Sequence, residues 1–247
     1  MGRLIAIEGI DGTGKGTQTK RLHQALMRRG FRVYPETFPK YNVTFHGMLV
    51  GEYLNGDFGK MDEIHPFLAA MLFAGDRLEY RSMLLAGLEA FDIVLLDRYV
   101  MSNIGHQCGK ILAAVPQVRS KLMQRILQLE YDIHKMPVPD VQILLDMPVE
   151  LSAQLVAKKK GRDYTDRAAD LHESDHAYQR RVREVYKANA IMKWPDLGLG
   201  HFGDLDENGR RTNLIEIPCY REDRGEVEEE GEITERILHV LERTILI

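Results

Sequence analysis

Short, mainly apolar runs alternate along the chain with longer stretches whose apolar residues recur every three or four positions. The runs at 4–7, 31–34, 92–96, 141–145 and 214–217 predict five strands. A run apolar at nearly every position, such as 93–96, belongs to a strand buried on both faces. The periodic stretches predict helices over 15–29, 45–54, 66–89, 102–114, 118–131, 176–193 and 233–246. Pro148 opens one more helix, which the lysines at 158–160 close. Gly30 suits the position just past the first helix, and Pro66 the first turn of the longest. Strands alternating with helices predict an α/β fold: a mostly parallel five-stranded sheet with helices on both faces. No repeat or linker divides the chain, so residues 1–247 read as one domain. The polar stretch 161–175 separates two helices. The glycine-rich 197–213 and the acidic 221–232 read as exposed loops, the second a solvated charge run.

With 247 residues, 44% of them hydrophobic, the chain can fill one core. A net charge of −4 gives no electrostatic case for binding nucleic acid. No stretch nears the roughly 18 apolar residues of a membrane helix, so no membrane partner is expected. Cys108 and Cys219 are too few for a disulfide framework and lack metal-ligand spacing. Both are expected as reduced thiols, and with no signal-peptide pattern the expected location is cytoplasmic.

Candidate chemistry starts after the first strand, in Glu8-Gly9-Ile10-Asp11-Gly12-Thr13-Gly14-Lys15-Gly16-Thr17. A buried strand, a glycine-rich turn and a polar helix start make a phosphate-binding P-loop, with Gly9, Gly14 and Lys15 at the required spacing. Glycine lets backbone wrap an anion, and the helix N-terminus favours negative charge. Gly12, Thr13, Gly14, Lys15, Gly16 and Thr17 are the candidate phosphate-binding residues, with Lys15 reaching the outer phosphates. Gly16 stands where Ser or Thr ordinarily holds magnesium. The plain alternative is a glycine-rich turn with no ligand. A second signal, Asp97-Arg98-Tyr99, follows the strand at 93–96. Ligands of open α/β sheets bind at the carboxyl ends of strands. There Asp97 suits magnesium and Arg98 a phosphate, although a structural ion pair accounts for them too.

Three further blocks stand with these two signals in a set order along the chain. They are Phe38-Pro39-Lys40-Tyr41, Leu72-Phe73-Ala74-Gly75-Asp76-Arg77, and the stretch 161–167 with Arg162 and Arg167. Ser102 and Asn103 trail the Asp-Arg-Tyr block. Together these blocks make residues 3–186 resemble the thymidylate kinases, members of the nucleoside monophosphate kinases. The resemblance implies a three-layer P-loop kinase fold with a mobile lid at about 158–175. It also implies ATP and Mg2+ as donor and cofactor, dTMP as the small-molecule substrate, and a homodimer packed through helices that include the long one.

It further implies roles for single residues. Phe73 stacks on thymine and Arg77, four residues on and so on the same helical face, bonds a base carbonyl. Phe38 and Pro39 wall the base and sugar, and Asp11 meets a sugar hydroxyl. Asn103 offers its amide to the N3 edge, with Ser102, His106 and Gln107 nearby. Lys40 and Tyr41 occupy a turn where many relatives carry an arginine, so Lys40 gives a point charge and not a bidentate fork. Each residue has a plainer reading: core packing for Phe73, a surface cation for Arg77 or Lys40, helix capping for Ser102 and Asn103, a buried histidine for His106. Without an arginine in the P-loop, Arg162 or Arg167 of the lid supplies charge to the transferring phosphoryl. The expected reaction moves the γ-phosphoryl of ATP to dTMP, with Lys15, Asp97, Arg98 and a lid arginine as catalytic groups. A kinase for another pyrimidine nucleotide and a non-catalytic nucleotide-binding module are the alternatives.

Overall fold

The computed structural model describes residues 1–112, 115–157, 175–190, 192–193 and 213–245. Arg162, Arg167 and nearly all of the expected lid and of the loop at 197–213 lie outside them. The chain runs β1 (Arg3–Glu8), α1 (Lys15–Arg28), β2 (Val33–Thr37), α2 (Phe45–Asn55), α3 (Pro66–Ala90), β3 (Ile93–Asp97), α4 (Val100–Gly109) and α5 (Pro116–Leu127). A π-helical turn, Gln128–Ile133, continues α5. Then come β4 (Val141–Asp146), α6 (Val149–Ala157), α7 (His176–Asn189), β5 (Met192–Lys193), β6 (Leu214–Pro218), β7 (Tyr220–Arg221), β8 (Glu226–Val227) and α8 (Glu230–Thr244).

The sheet has the order β2-β3-β1-β4-β6-β5, and every pairing in it is parallel. Its alternation places successive side chains on opposite faces. Leu4, Ala6, Val94, Leu96 and Leu144 pack on one face with residues of α3, α4 and α7. Ile5, Ile7, Leu95, Ile143, Leu145, Ile215 and Ile217 pack on the other with α1 and α8. A smaller cluster, Val50, Tyr53, Leu54 and Ala69, joins α2 to α3. Near-continuous apolar strands thus arise because helices cover both faces.

Three readings need correction. The sheet gains a sixth, two-residue strand, Met192–Lys193, where the last turn of a helix was expected. Pairing with β6 overrides local helical periodicity there. The helix expected at 102–114 starts earlier, because Glu8 accepts the Tyr99 amide at 2.8 Å and anchors the entry to α4. The acidic stretch 221–232 is mostly exposed as expected but is not a loop: β7 and β8 pair as an antiparallel hairpin, and α8 already begins at Glu230. Glu228 within it is buried and accepts from Arg236 Nη2 at 2.8 Å. Glu230 and Glu232 in the first turn of α8 suit the positive end of the helix dipole.

Candidate active site

The P-loop lies at the carboxyl end of β1, between the ends of β3 and β4. Gly9, Gly12 and Gly14 have φ of 145°, 85° and 84°. At Gly12 a methyl group would lie 2.3 Å from the Ser152 carbonyl oxygen, so glycine is needed there for space as well as for conformation. Thr13 is buried and its hydroxyl donates to the Ile10 carbonyl at 3.0 Å. Lys15 folds back across the loop, donating to the carbonyls of Gly9 at 3.0 Å and Ile10 at 2.7 Å. Gly16 and Thr17 are exposed at the start of α1.

Asp97 ends β3 directly opposite this helix start. A methyl group on Gly16 would sit 3.2 Å from Asp97 Oδ2, while Asp97 Oδ1 is buried without a protein partner among the described residues. An orphaned carboxylate oxygen beside a phosphate loop is the donor type a hard divalent cation takes.

Arg98 has φ 69°, a strained value for a residue with a side chain. Its amide donates to the Ile7 carbonyl at 3.0 Å, which ties the strained turn to β1. The guanidinium pairs with Asp11, whose other oxygen accepts from Gln179 of α7 at 2.9 Å. Burial disfavours the Asp11 carboxylate, but Arg98 and Lys15 hold its pKa well below the ordinary range. Asp11 therefore binds Arg98 in this conformation, in addition to any sugar contact.

Glu8 forms the hub beneath. Its carboxylate accepts from the Tyr99 amide, from Ser102 Oγ at 2.6 Å and from Tyr186 OH at 3.2 Å. Burial raises its pKa against these bonds and against Arg98 and Lys15. Ser102 is thus committed to Glu8, a structural role beyond the expected cap.

In the turn after β2, Phe38 is buried, with Tyr80 edge-on at 5.9 Å and Tyr99 at 6.2 Å, and the Phe38–Pro39 bond is cis. Asp76 of α3 holds this turn, accepting from the Lys40 amide at 3.0 Å and from Thr44 Oγ1. Lys40 is not the solvated cation of the plain reading. Its ammonium pairs with Glu36 and lies 4.1 Å from the centroid of the Tyr80 ring. Burial lowers its pKa to about 8, with Asp76 opposing.

The remaining candidates line α3 and α4. Phe73 is half-buried beside Tyr53, ring centroids 6.1 Å apart. Arg77 is 2% exposed, so it is no surface cation; it pairs with the fully buried Glu130. Burial opposes the charge on Arg77, but Glu130 outweighs it and keeps the guanidinium protonated. Asn103 Nδ2 donates to Glu130 and to the Ala70 carbonyl. His106 Nδ1 lies 3.0 Å from Tyr178 OH, which itself donates to the His106 carbonyl. Burial lowers the His106 pKa to about 3. Both amide atoms of Gln107 are buried without a partner among the described residues.

Sequence reasoning did not find Glu130, Gln179, Tyr186 or Glu36. Only Glu130 left a signal: it follows Leu122 and Ile126 at spacing four, a carboxylate in an otherwise apolar row.

A parallel sheet with a P-loop at its central strand, and an Asp-Arg pair at the end of the neighbouring strand, defines a P-loop phosphotransferase. A sequence model described as thymidylate kinase matches residues 7–194. The thymidylate kinase of Mycobacterium tuberculosis strain H37Rv is 32% identical over 217 residues, spanning 87% of this chain and 98% of that one. The probable thymidylate kinase of Thermococcus kodakarensis is 33% identical over 197 residues, 76% of this chain and 84% of that one. A solved thymidylate kinase structure from Candida albicans superposes with a TM-score of 0.64 at 23% identity, over 98% of this chain and 92% of that one, and so shares the fold. The chain belongs to the thymidylate kinase family, enzymes that use ATP to phosphorylate dTMP to dTDP.

Proposed function

We propose that this chain carries out the family reaction with the residues gathered at the ends of β1, β2 and β3, moving the γ-phosphoryl of ATP to the 5′-phosphate of dTMP. The observation that carries this reading is Arg98, held in strained backbone between the P-loop and the turn at Phe38 and paired with Asp11. Loop amides and Lys15 bind the ATP phosphates. Lys15 exchanges its loop carbonyls for phosphate oxygens when the nucleotide arrives. Arg98 neutralises the acceptor phosphate so that two anions can approach in line, a contribution of positioning and electrostatics. Phe38, Pro39, Phe73, Arg77, Asn103, His106 and Gln107 form the acceptor pocket, with Lys40 and Tyr41 at its rim. Arg162 or Arg167 supplies positive charge from the lid, where such arginines are worth roughly 10³–10⁵ in rate.

Asp97 fits Mg2+ through its unpartnered oxygen, and Thr17 on α1 contacts phosphate. Bound there, the ion would screen phosphate charge, while Gly16 leaves space beside the carboxylate that a side chain would fill. The reading includes a homodimer. Exposed Leu68, Met71 and Leu78 on α3, with Phe45 and Met48 on α2, leave an apolar face whose burial by a second copy would stabilise it. Two buried free thiols agree with a cytoplasmic enzyme.

The test is ADP release with ATP, magnesium and a panel of nucleoside monophosphates, followed by Arg162→Ala and Arg167→Ala separately. Preference for dTMP is expected. Preference for another acceptor would overturn the pocket assignment and leave the P-loop assignment standing; binding of ATP without any turnover would overturn both catalytic assignments.

A further inference from the structure

Glu130 ends a buried row, Leu122, Ile126 and Glu130, that runs from α5 into the π-helical turn. Such a row calls for an apolar side chain, and a buried carboxylate is costly unless its partners satisfy it. π-Helical turns inside helices are frequent at functional sites. Here both partners belong to the acceptor pocket. Arg77 Nε donates to Glu130 Oε2 at 3.1 Å and Oε1 at 3.2 Å, and Nη2 donates to Oε1. Asn103 Nδ2 donates to Glu130 Oε1 at 3.1 Å and to the Ala70 carbonyl at 3.0 Å. Both amide hydrogens of Asn103 therefore face acceptors. Turning the amide over would set Oδ1 against a carboxylate and a carbonyl, so the network assigns its orientation. What remains of Asn103 is Oδ1, buried and without a protein partner among the described residues.

We propose that Glu130 is a positioning residue for base selection: it holds Asn103 as an acceptor only, and so favours a base that offers a ring N–H. The proposal rests on the kinase reading above. Thymine carries a hydrogen on N3, where cytosine carries a lone pair. Against cytosine, Asn103 would oppose two acceptors in a site shielded from water, a mismatch that a hydrogen-bonding pocket rejects strongly. Arg77 works in the same sense. With Nε and Nη2 turned to Glu130, it keeps Nη1 to donate to a carbonyl, which thymine has at position 4 and cytosine replaces by an amino group. Glu130 touches no nucleotide; it acts through these two side chains.

The experiment is steady-state kinetics of the full chain, Glu130→Gln and Glu130→Asp with dTMP, N3-methyl-dTMP and dCMP. A thermal melt and the KM for ATP control for folding. The unaltered chain is expected to reject N3-methyl-dTMP by more than roughly a hundredfold relative to dTMP. Glu130→Gln removes the charge that fixes both partners. It should lower kcat/KM for dTMP by roughly ten- to a hundredfold and narrow the dTMP-to-dCMP ratio by at least about tenfold, with KM for ATP unchanged. Glu130→Asp keeps the charge and should recover part of that ratio. A folded Gln variant with an unaltered ratio overturns the proposal, as does equal use of N3-methyl-dTMP by the unaltered chain. Should the Gln variant fail to fold, an unaltered ratio in the Asp variant overturns it and a narrowed one supports it. Absence of dTMP turnover in the unaltered chain would instead overturn the kinase reading itself.

Discussion

Arg98 and Gly12 show how single positions constrain the site. Arg98→Ala should lower turnover about 10²–10³-fold, as removal of a charge-stabilising donor does. It also strips Asp11 of its buried partner. A folded Arg98→Ala enzyme with near-normal kcat/KM would refute the assignment. Gly12 and Gly14 share a left-handed φ, but a methyl group meets Ser152 at the first and open space at the second. Gly12→Ala should therefore cost about 1–3 kcal/mol more than Gly14→Ala, which bears only the backbone strain. Denaturant midpoints of the two variants measure the difference. At this scale the P-loop and Asp97-Arg98-Tyr99 were legible because each is a contiguous string whose spacing is itself the geometry. The pair of Arg77 with Glu130 was not: the two lie 53 residues apart, and nothing local ties them.

Between elements, β1, α4 and α7 meet at Glu8. Tyr186 of α7 donates toward Glu8 at 3.2 Å and lies 3.1 Å from Ser102 Oγ. Tyr186→Phe removes both bonds and leaves a buried carboxylate one donor short. A loss of roughly 1–3 kcal/mol is expected in denaturant unfolding. Loss of hydrogen-exchange protection should concentrate in α4 and α7; uniform loss, or none, would remove the hub from the account. Strands and long helices were legible here because hydrophobic period follows burial directly. Their ends were less so. Asn189 ends α7 where a helix to 193 was expected, since β6 recruits Met192 and Lys193 as an edge strand.

For the whole molecule, stability should respond to acid through His106. Its ordinary pKa is near 6.5, and burial lowers it to about 3 in the folded protein. Between these values the unfolded chain binds the proton and the folded one does not, so stability falls as pH drops from 6.5 toward 3. The slope from this residue is at most about 1.4 kcal/mol per pH unit. Glu8 and Asp76, raised by burial, act in the opposite sense. The test is therefore a difference: His106→Gln should flatten the acid limb of the stability curve relative to the unaltered chain. An identical limb would assign acid sensitivity elsewhere. Association belongs to this scale as well. On the homodimer proposed above, Leu68→Glu with Met71→Glu should yield monomers in light scattering; a dimer mass unaltered by the two changes would move the proposed interface away from α3, and a monomer mass in the unaltered chain would overturn the homodimer.

The sequence by itself determined the layer order, the phosphate loop and the acid-arginine pair, because each depends on neighbours along the chain: hydrophobic period, glycine spacing, a strand end. Tertiary structure alone decided how those groups are held. Asp11 meets Gln179, Glu8 meets Tyr186, and Arg77 and Asn103 meet Glu130 across gaps of 168, 178, 53 and 27 residues. Burial sets the strength of such contacts, since a charge removed from water must find its partner wherever the fold brings one close. Apart from Glu130, which interrupts the apolar row of Leu122 and Ile126, such a partner carries no periodic or spacing signal, and which group it meets becomes visible only once the helices are packed on the sheet.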